Sequence, residues 1–158
     1  MTRGRALLAC LAPLALLLAS STAFAQTLTG RVVGIADGDT LTVYDGTQEI
    51  RVRLADIDAP EKGQPFGTAA RKHLSTLCYA THASIRVVDV DHYGRTIGRV
   101  TCGRHYANAE MVRTGLAWVY RRYARDASLY QLEAQARAAR LQLWGESDPV
   151  PPWTFRRR

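Results

Sequence analysis

Thr40-Leu41-Thr42-Val43-Tyr44-Asp45-Gly46-Thr47-Gln48-Glu49-Ile50-Arg51-Val52-Arg53-Leu54 reads as two strands and the turn between them. Leu41 and Val43 alternate with Thr42 and Tyr44, and Ile50, Val52 and Leu54 alternate with Arg51 and Arg53. That period of two belongs to a sheet with one buried and one wet face. Asp45-Gly46 is a strong hairpin-turn signal. Folding the chain at this turn sets Asp39 roughly opposite residues 52–54. The start of the first strand then lies beside the end of the second, and both are acidic: Asp37-Gly38-Asp39-Thr40 and Asp56-Ile57-Asp58-Ala59-Pro60-Glu61. Four or five carboxylates converge on one end of a hairpin. Like charges that close repel, and a hard cation with oxygen ligands offsets them. Asp45, in the turn itself, is expected to face water.

Residues 27–36 read as a preceding strand, and residues 83–90 and 96–102 as two more around Tyr93-Gly94. Three helices are interleaved. Phe66, Ala70, Leu74 and Leu77 carry the first apolar stripe. Tyr106, Ala109, Val112 and Leu116 carry the second, with Gly115 near its stop. Leu129, Leu132, Ala136, Ala139 and Leu143 carry the third, at spacings of three and four. The fold class is α+β, mainly β: a five-stranded barrel of the OB type with three helices packed outside. Such barrels commonly bind oligonucleotides, which is an analogy of fold and not an argument for function. Residues 147–158, with prolines, Trp153 and a run of arginines, are expected to form an extended tail.

The first 25 residues are expected to be a signal peptide and no part of the fold. Arg3 and Arg5 precede an apolar run, and Ala23-Phe24-Ala25 is an A-x-A cleavage pattern. The run is too short for a bilayer anchor. After cleavage the chain is expected to be exported to the periplasm or beyond, free of the membrane and monomeric. Residues 26–146 make one domain with room for a core. The formal net charge is +7, and still +5 without Arg3 and Arg5. A basic surface suits a polyanionic partner. His73, His82, His92 and His105 have no ligand spacing, which argues against zinc. Trp118, Tyr120 and Tyr123 are expected to fill the barrel mouth or pack a helix in preference to stacking bases. Arg121, Arg122 and the terminal arginines are expected to be solvated.

Arg53 lies on the polar face of its strand, five residues before Asp58, and Arg95 closes Tyr93-Gly94-Arg95. A planar guanidinium holds two phosphate oxygens at once. Two arginines and a metal would neutralise a phosphodiester as it becomes pentacovalent.

In these strings the chain resembles the staphylococcal nuclease family. The matching stretches are Ile35-Ala36-Asp37-Gly38-Asp39-Thr40, Arg53-Leu54 with Ile57-Asp58-Ala59-Pro60-Glu61, and Asp91-His92-Tyr93-Gly94-Arg95. Asn108-Ala109-Glu110-Met111-Val112-Arg113-Thr114-Gly115-Leu116-Ala117 and Glu133-Ala134-Gln135-Ala136, on to Leu143-Trp144, complete the set, in order. The resemblance implies calcium-dependent hydrolysis of DNA and RNA, leaving 3′-phosphate ends. It implies that Asp39, Asp58 and the Ala59 carbonyl are calcium ligands, that Glu61 orients or deprotonates the attacking water, and that Arg53 and Arg95 bind the scissile phosphate. Asp37 would hold a metal-bound water. Thr40 is grouped beside the metal or substrate, and Tyr93 either meets a terminal phosphate or ribose or packs on the barrel as a turn tyrosine. The loop between Glu61 and Phe66 is shorter than in the best-known member, which bears on how firmly Glu61 is held.

Cys78 ends the first helix and Cys102 the fifth strand, and the family fold packs that helix near those strands. A disulfide is expected there, the alternative being two buried thiols; export supplies oxidising conditions. The alternative function is a non-catalytic OB-fold nucleic-acid-binding protein, which would lack some of Asp39, Arg53, Asp58, Glu61 and Arg95. All five are present.

Overall fold

The computed structural model of the protein describes residues 26–158. The expected signal peptide and its cleavage point lie outside the described residues. Three strands come first, β1 (Thr27–Ile35), β2 (Thr40–Tyr44) and β3 (Glu49–Leu54), followed by the short β4 (Ile57–Asp58). Helix α1 (Gly67–Cys78) leads into β5 (His82–Val90) and β6 (Thr96–Cys102). After β7 (His105–Tyr106) come α2 (Ala107–Arg113), β8 (Trp118–Val119), α3 (Ser128–Ala138), a 3-10 turn (Gln142–Gly145) and α4 (Pro152–Phe155). The sheet order is β3-β2-β1-β5-β6-β7, and a parallel pairing of β3 with β6 closes five of these strands into a barrel.

The hairpin register is the one the alternation requires. Thr40 pairs with Arg53 and Leu41 with Val52. The Leu54 N–H donates to the Asp39 carbonyl at 2.8 Å. Val32, Leu41, Val43, Val52, Leu54, Ile85 and Val100 fill the barrel and are all buried. Such side chains stabilise by roughly 1.5–3 kcal/mol each when fully removed from water. Asn108, at the start of α2, is a polar residue in this core. Its Oδ1 accepts the Val100 N–H at 2.9 Å and its Nδ2 donates to the Ala55 carbonyl at 2.8 Å. It therefore holds the segment leading to Asp58 against β6. Glu133 is also buried, and accepts the Val119 N–H at 3.0 Å. Cys78 and Cys102 form a disulfide that ties the end of α1 to the end of β6.

Two expectations are corrected. The third helix does not run to Leu143 but stops at Ala138. Arg140 and Gln142 take left-handed φ values of 52° and 45°, which no helix continues through. The chain reverses there so that the Leu143 N–H reaches the Gly115 carbonyl and Trp144 packs on Trp118. The C-terminal segment is not simply extended: Pro152–Phe155 forms one helical turn with proline at its start, where the ring's fixed φ suits a helix. Among the described residues no helix is long and apolar enough to cross a membrane.

Candidate functional site

The acidic end of the hairpin is built by a tight crossing. Gly38 lies where a Cβ would come within 2.7 Å of the Ala59 Cβ and 2.6 Å of the Ala70 Cβ. Only glycine lets the loop between β1 and β2 press against both α1 and the segment after β4. Asp37 Oδ1 accepts the Asp39 N–H at 3.0 Å and fixes the turn. Asp39 is thereby driven inward. Its Oδ1 accepts from Arg53 Nη1 at 2.8 Å and from the Thr40 hydroxyl at 3.0 Å, and its Oδ2 accepts from the Ala59 N–H at 2.8 Å.

Asp58 comes from β4 and its side chain is wholly buried. Arg53 bridges the two carboxylates, with Nη2 donating to Asp58 Oδ1 at 2.8 Å. Burial pushes the Asp39 carboxyl up to about 7 even though Arg53 pulls it down, and Asp37 and Asp58 add to the rise. Burial opposes the Arg53 charge as well, but Asp39 and Asp58 outweigh it and hold the guanidinium above its ordinary pKa. Asp39 therefore resists ionisation where it stands, because it is buried with two other carboxylates close by.

A cleft of about 730 Å³ opens over these groups, lined among others by Asp37, Asp39, Arg53, Ala59, Glu61, Tyr93 and Arg95. The structure thus brings most of the residues singled out in the sequence to one cleft, while Asp58 and Thr40 are buried and not part of its lining. Asp91 aims Arg95: its Oδ1 accepts the Tyr93 and Arg95 N–H groups, and its Oδ2 accepts Arg95 Nε at 2.7 Å. Tyr93 is largely exposed at the rim, its ring 5.5 Å from the Arg95 guanidinium carbon. Glu61 sits in a short turn, with Gln64 Oε1 accepting its N–H at 3.1 Å. A Cβ on Gly67 would stand 2.0 Å from the Glu61 carbonyl, so the short loop closes only because residue 67 is glycine.

Asp56 does not join the carboxylate cluster. A left-handed φ of 67° turns it aside, and it accepts from Arg99 Nε at 2.9 Å and the Arg125 N–H at 2.7 Å. Among the described residues no three His, Cys, Asp or Glu side chains gather as a metal-binding group.

The C-terminal segment supplies what the sequence reading missed. Arg156 is partly exposed but is not a free surface charge. Its Nη2 donates to Asp58 Oδ2 at 2.8 Å, and its Nη1 donates to Asp58 Oδ1 at 3.1 Å and to Glu61 Oε1 at 2.5 Å. Trp153 anchors the segment, stacked on Tyr120 with centroids 5.2 Å apart and 5° between the planes. Gln64 Nε2 ties it down through the Val150 carbonyl at 2.6 Å. Arg121 is likewise engaged, with Nη2 3.0 Å from Glu133 Oε2. The one signal in the sequence was aromatic and proline residues beside the arginines, unusual for a free tail.

A sequence profile described as staphylococcal nuclease homologue matches residues 51–146, more than half of the chain. The chain belongs to the staphylococcal nuclease family. Protein ParB of Escherichia coli is 43% identical over 166 residues, covering 98% of this chain and 93% of that protein. The micrococcal nuclease of Shigella flexneri is 45% identical over 139 residues, 81% of this chain and 80% of that protein. An uncharacterized endonuclease of Haemophilus influenzae is 42% identical over 131 residues, 82% and 74% respectively. Membership of the staphylococcal nuclease family agrees with the closed barrel and its packed helices. The profile match stops at residue 146, so Trp153 and Arg156 lie beyond it.

Proposed function

We propose that this protein is an exported, monomeric, calcium-dependent nuclease that hydrolyses phosphodiester bonds of DNA and RNA and leaves 3′-phosphate ends. The observation that carries this reading is the convergence of Asp39, Arg53, Glu61 and Arg95 on one open cleft, with buried Asp58 joined to them through Arg53. The donor set fits a hard cation: two carboxylates and the backbone carbonyl of Ala59 are all oxygen ligands, leaving room for water. Two side-chain carboxylates and one carbonyl make a water-rich site, so binding without substrate is expected to be modest. A calcium ion held there would supply Lewis acidity and a template for water and phosphate.

The rest of the chemistry belongs to the chain. Glu61 accepts a proton from the attacking water. Arg95, pre-aimed by Asp91, and Arg53 grip the non-bridging oxygens as negative charge builds on them. Water adds to phosphorus, the P–O5′ bond breaks, and a 3′-phosphate and a 5′-hydroxyl result. Export is supported by the apolar N-terminal sequence and by the disulfide, which belongs to an oxidising compartment. The test is cleavage of plasmid DNA and of RNA by residues 26–158 with calcium or with excess chelator. Chelator should abolish cleavage of both; undiminished cleavage would sink the mechanism.

Arg156 bears on the same reading. Its guanidinium occupies both oxygens of Asp58, and a divalent cation approaching Asp58 meets that positive charge. Arg156→Ala is therefore expected to tighten calcium binding by about tenfold, equal to ~1.4 kcal/mol, the scale of one hydrogen bond to a charged group. Titration calorimetry without nucleic acid reads this directly. An unchanged dissociation constant would mean that Arg156 does not compete.

A further inference from the structure

Arg95, Ile97 and Arg99 alternate along β6 and all line the carboxylate cleft. Arg99 also lines a second, open groove of about 460 Å³, with Thr101 of the same strand, Ser84 and Arg86 of β5, Tyr106, and Arg125 to Ala127. Arg99 and Arg125 border both depressions, so the two form one continuous path. From Arg95 to Arg99 is four strand residues, roughly 13 Å.

The register makes this path unusual. Arg86 and Arg99 are direct partners across β5 and β6, and like charges directly opposite each other destabilise a sheet. Asp56 offsets Arg99 from behind. Among the described residues neither Arg86 nor Arg125 has a carboxylate at salt-bridge distance. Asp126, the carboxylate bordering the groove, is taken up by the Tyr106 hydroxyl at 2.8 Å and by the Ser128 N–H and hydroxyl. Two exposed guanidiniums are left over, beside the hydroxyls of Ser84 and Thr101. Ser84 and Thr101 are themselves register partners. Guanidiniums and hydroxyls are the donors that hold phosphate oxygens without reading bases.

We propose that this groove is a second phosphate subsite: the substrate strand leaves the cleft along β6, and Arg86, Arg99 and Arg125 hold a backbone phosphate beyond the scissile one. The proposal rests on the nuclease reading for its substrate and extends it from one phosphate to a strand. It makes the protein sensitive to substrate length. A diester too short to reach the groove gains nothing from it, whereas an oligonucleotide gains binding that does not depend on its sequence.

The experiment uses the protein carrying Arg86→Glu and Arg125→Glu, both exposed and outside the proposed catalytic groups. Binding of a labelled oligothymidylate of about twelve nucleotides, within the span a small barrel covers, is followed by fluorescence anisotropy in chelator. The parent should bind, and the double variant should bind about tenfold or more weakly, with a salt dependence reduced by about two phosphate contacts. Cleavage of bis(p-nitrophenyl) phosphate in calcium should be the same for both. Equal oligonucleotide affinity and salt slope in parent and variant would overturn the subsite. So would an equal loss on the short diester, which would mean damage to the cleft. If the parent binds the oligonucleotide but cleaves neither substrate, the nuclease reading fails while the binding comparison still decides the groove.

Discussion

Glu61→Gln should lower kcat by about a hundredfold to ten-thousandfold, the contribution of a positioned general base, and leave substrate affinity close to the parent's. The substitution keeps the shape and the Oε1 acceptor that meets Arg156, so the turn held by Gln64 is preserved. What disappears is the ability to take a proton from water, a loss felt only in the transition state. Initial rates on single-stranded DNA give kcat, and anisotropy in chelator gives affinity. Retention of parental turnover would mean that another group serves the water and that the assignment of Glu61 is wrong. A large loss of affinity with intact kcat would instead make Glu61 a binding residue. Arg95→Lys probes the opposite side of the phosphate. Lysine keeps the charge but lacks the fork, and it cannot reproduce the Nε contact to Asp91.

Preventing the Cys78–Cys102 bond should cost about 3.5 kcal/mol of stability, the chain-entropy value for a loop of this size, where the two cysteines are 24 residues apart. At roughly 3 °C per kcal/mol for a domain of this length, the melting temperature should fall by about 10 °C. Turnover at room temperature should hardly change. Cys102 ends β6 and Arg95 immediately precedes that strand, which sets them roughly 23 Å apart by strand rise. Both cysteines are buried, so the comparison is between protein refolded with and without reductant, with free thiols counted in each. Equal melting temperatures in samples that differ by two thiols would show that the bond adds no stability. A parallel loss of turnover would show that it shapes the cleft.

The barrel was legible because its signal is local. Alternation in residues 40–54 specifies which faces are buried, the Asp-Gly signal marks where the chain reverses, and the four-residue loop 45–48 sets the register that places Asp39 beside the end of β3. The same alternation along residues 96–102 identifies β6. Asn108 and Glu133 were legible only as motif residues. Their work is structural, because each satisfies backbone groups in the core. The end of the third helix was not legible, because its apolar spacing continues to Leu143. The left-handed turns at Arg140 and Gln142 are stabilised by packing of Trp144 from a distance, which local propensity does not register.

The sequence by itself determined the barrel, the pairing of Asp39 with Asp58 at one hairpin end, and the supply of arginines for an anionic partner. Each of these follows from neighbours within a few residues or from one tight turn. Only the tertiary structure decided what each charge does. Asp56, two residues from Asp58, is turned by its positive φ to Arg99 and the Arg125 N–H instead of to Arg53. Asp91 is spent on aiming Arg95. Arg156, nearly a hundred positions from its partners, reaches Asp58 and Glu61 because Trp153 stacks on Tyr120 and Gln64 holds Val150. Arg86 faces Arg99 because of the register that β5 and β6 keep as far as the shift between Val87 and Asp89. Charges act over a few ångströms in three dimensions, and their separation along the chain carries almost no information about that distance.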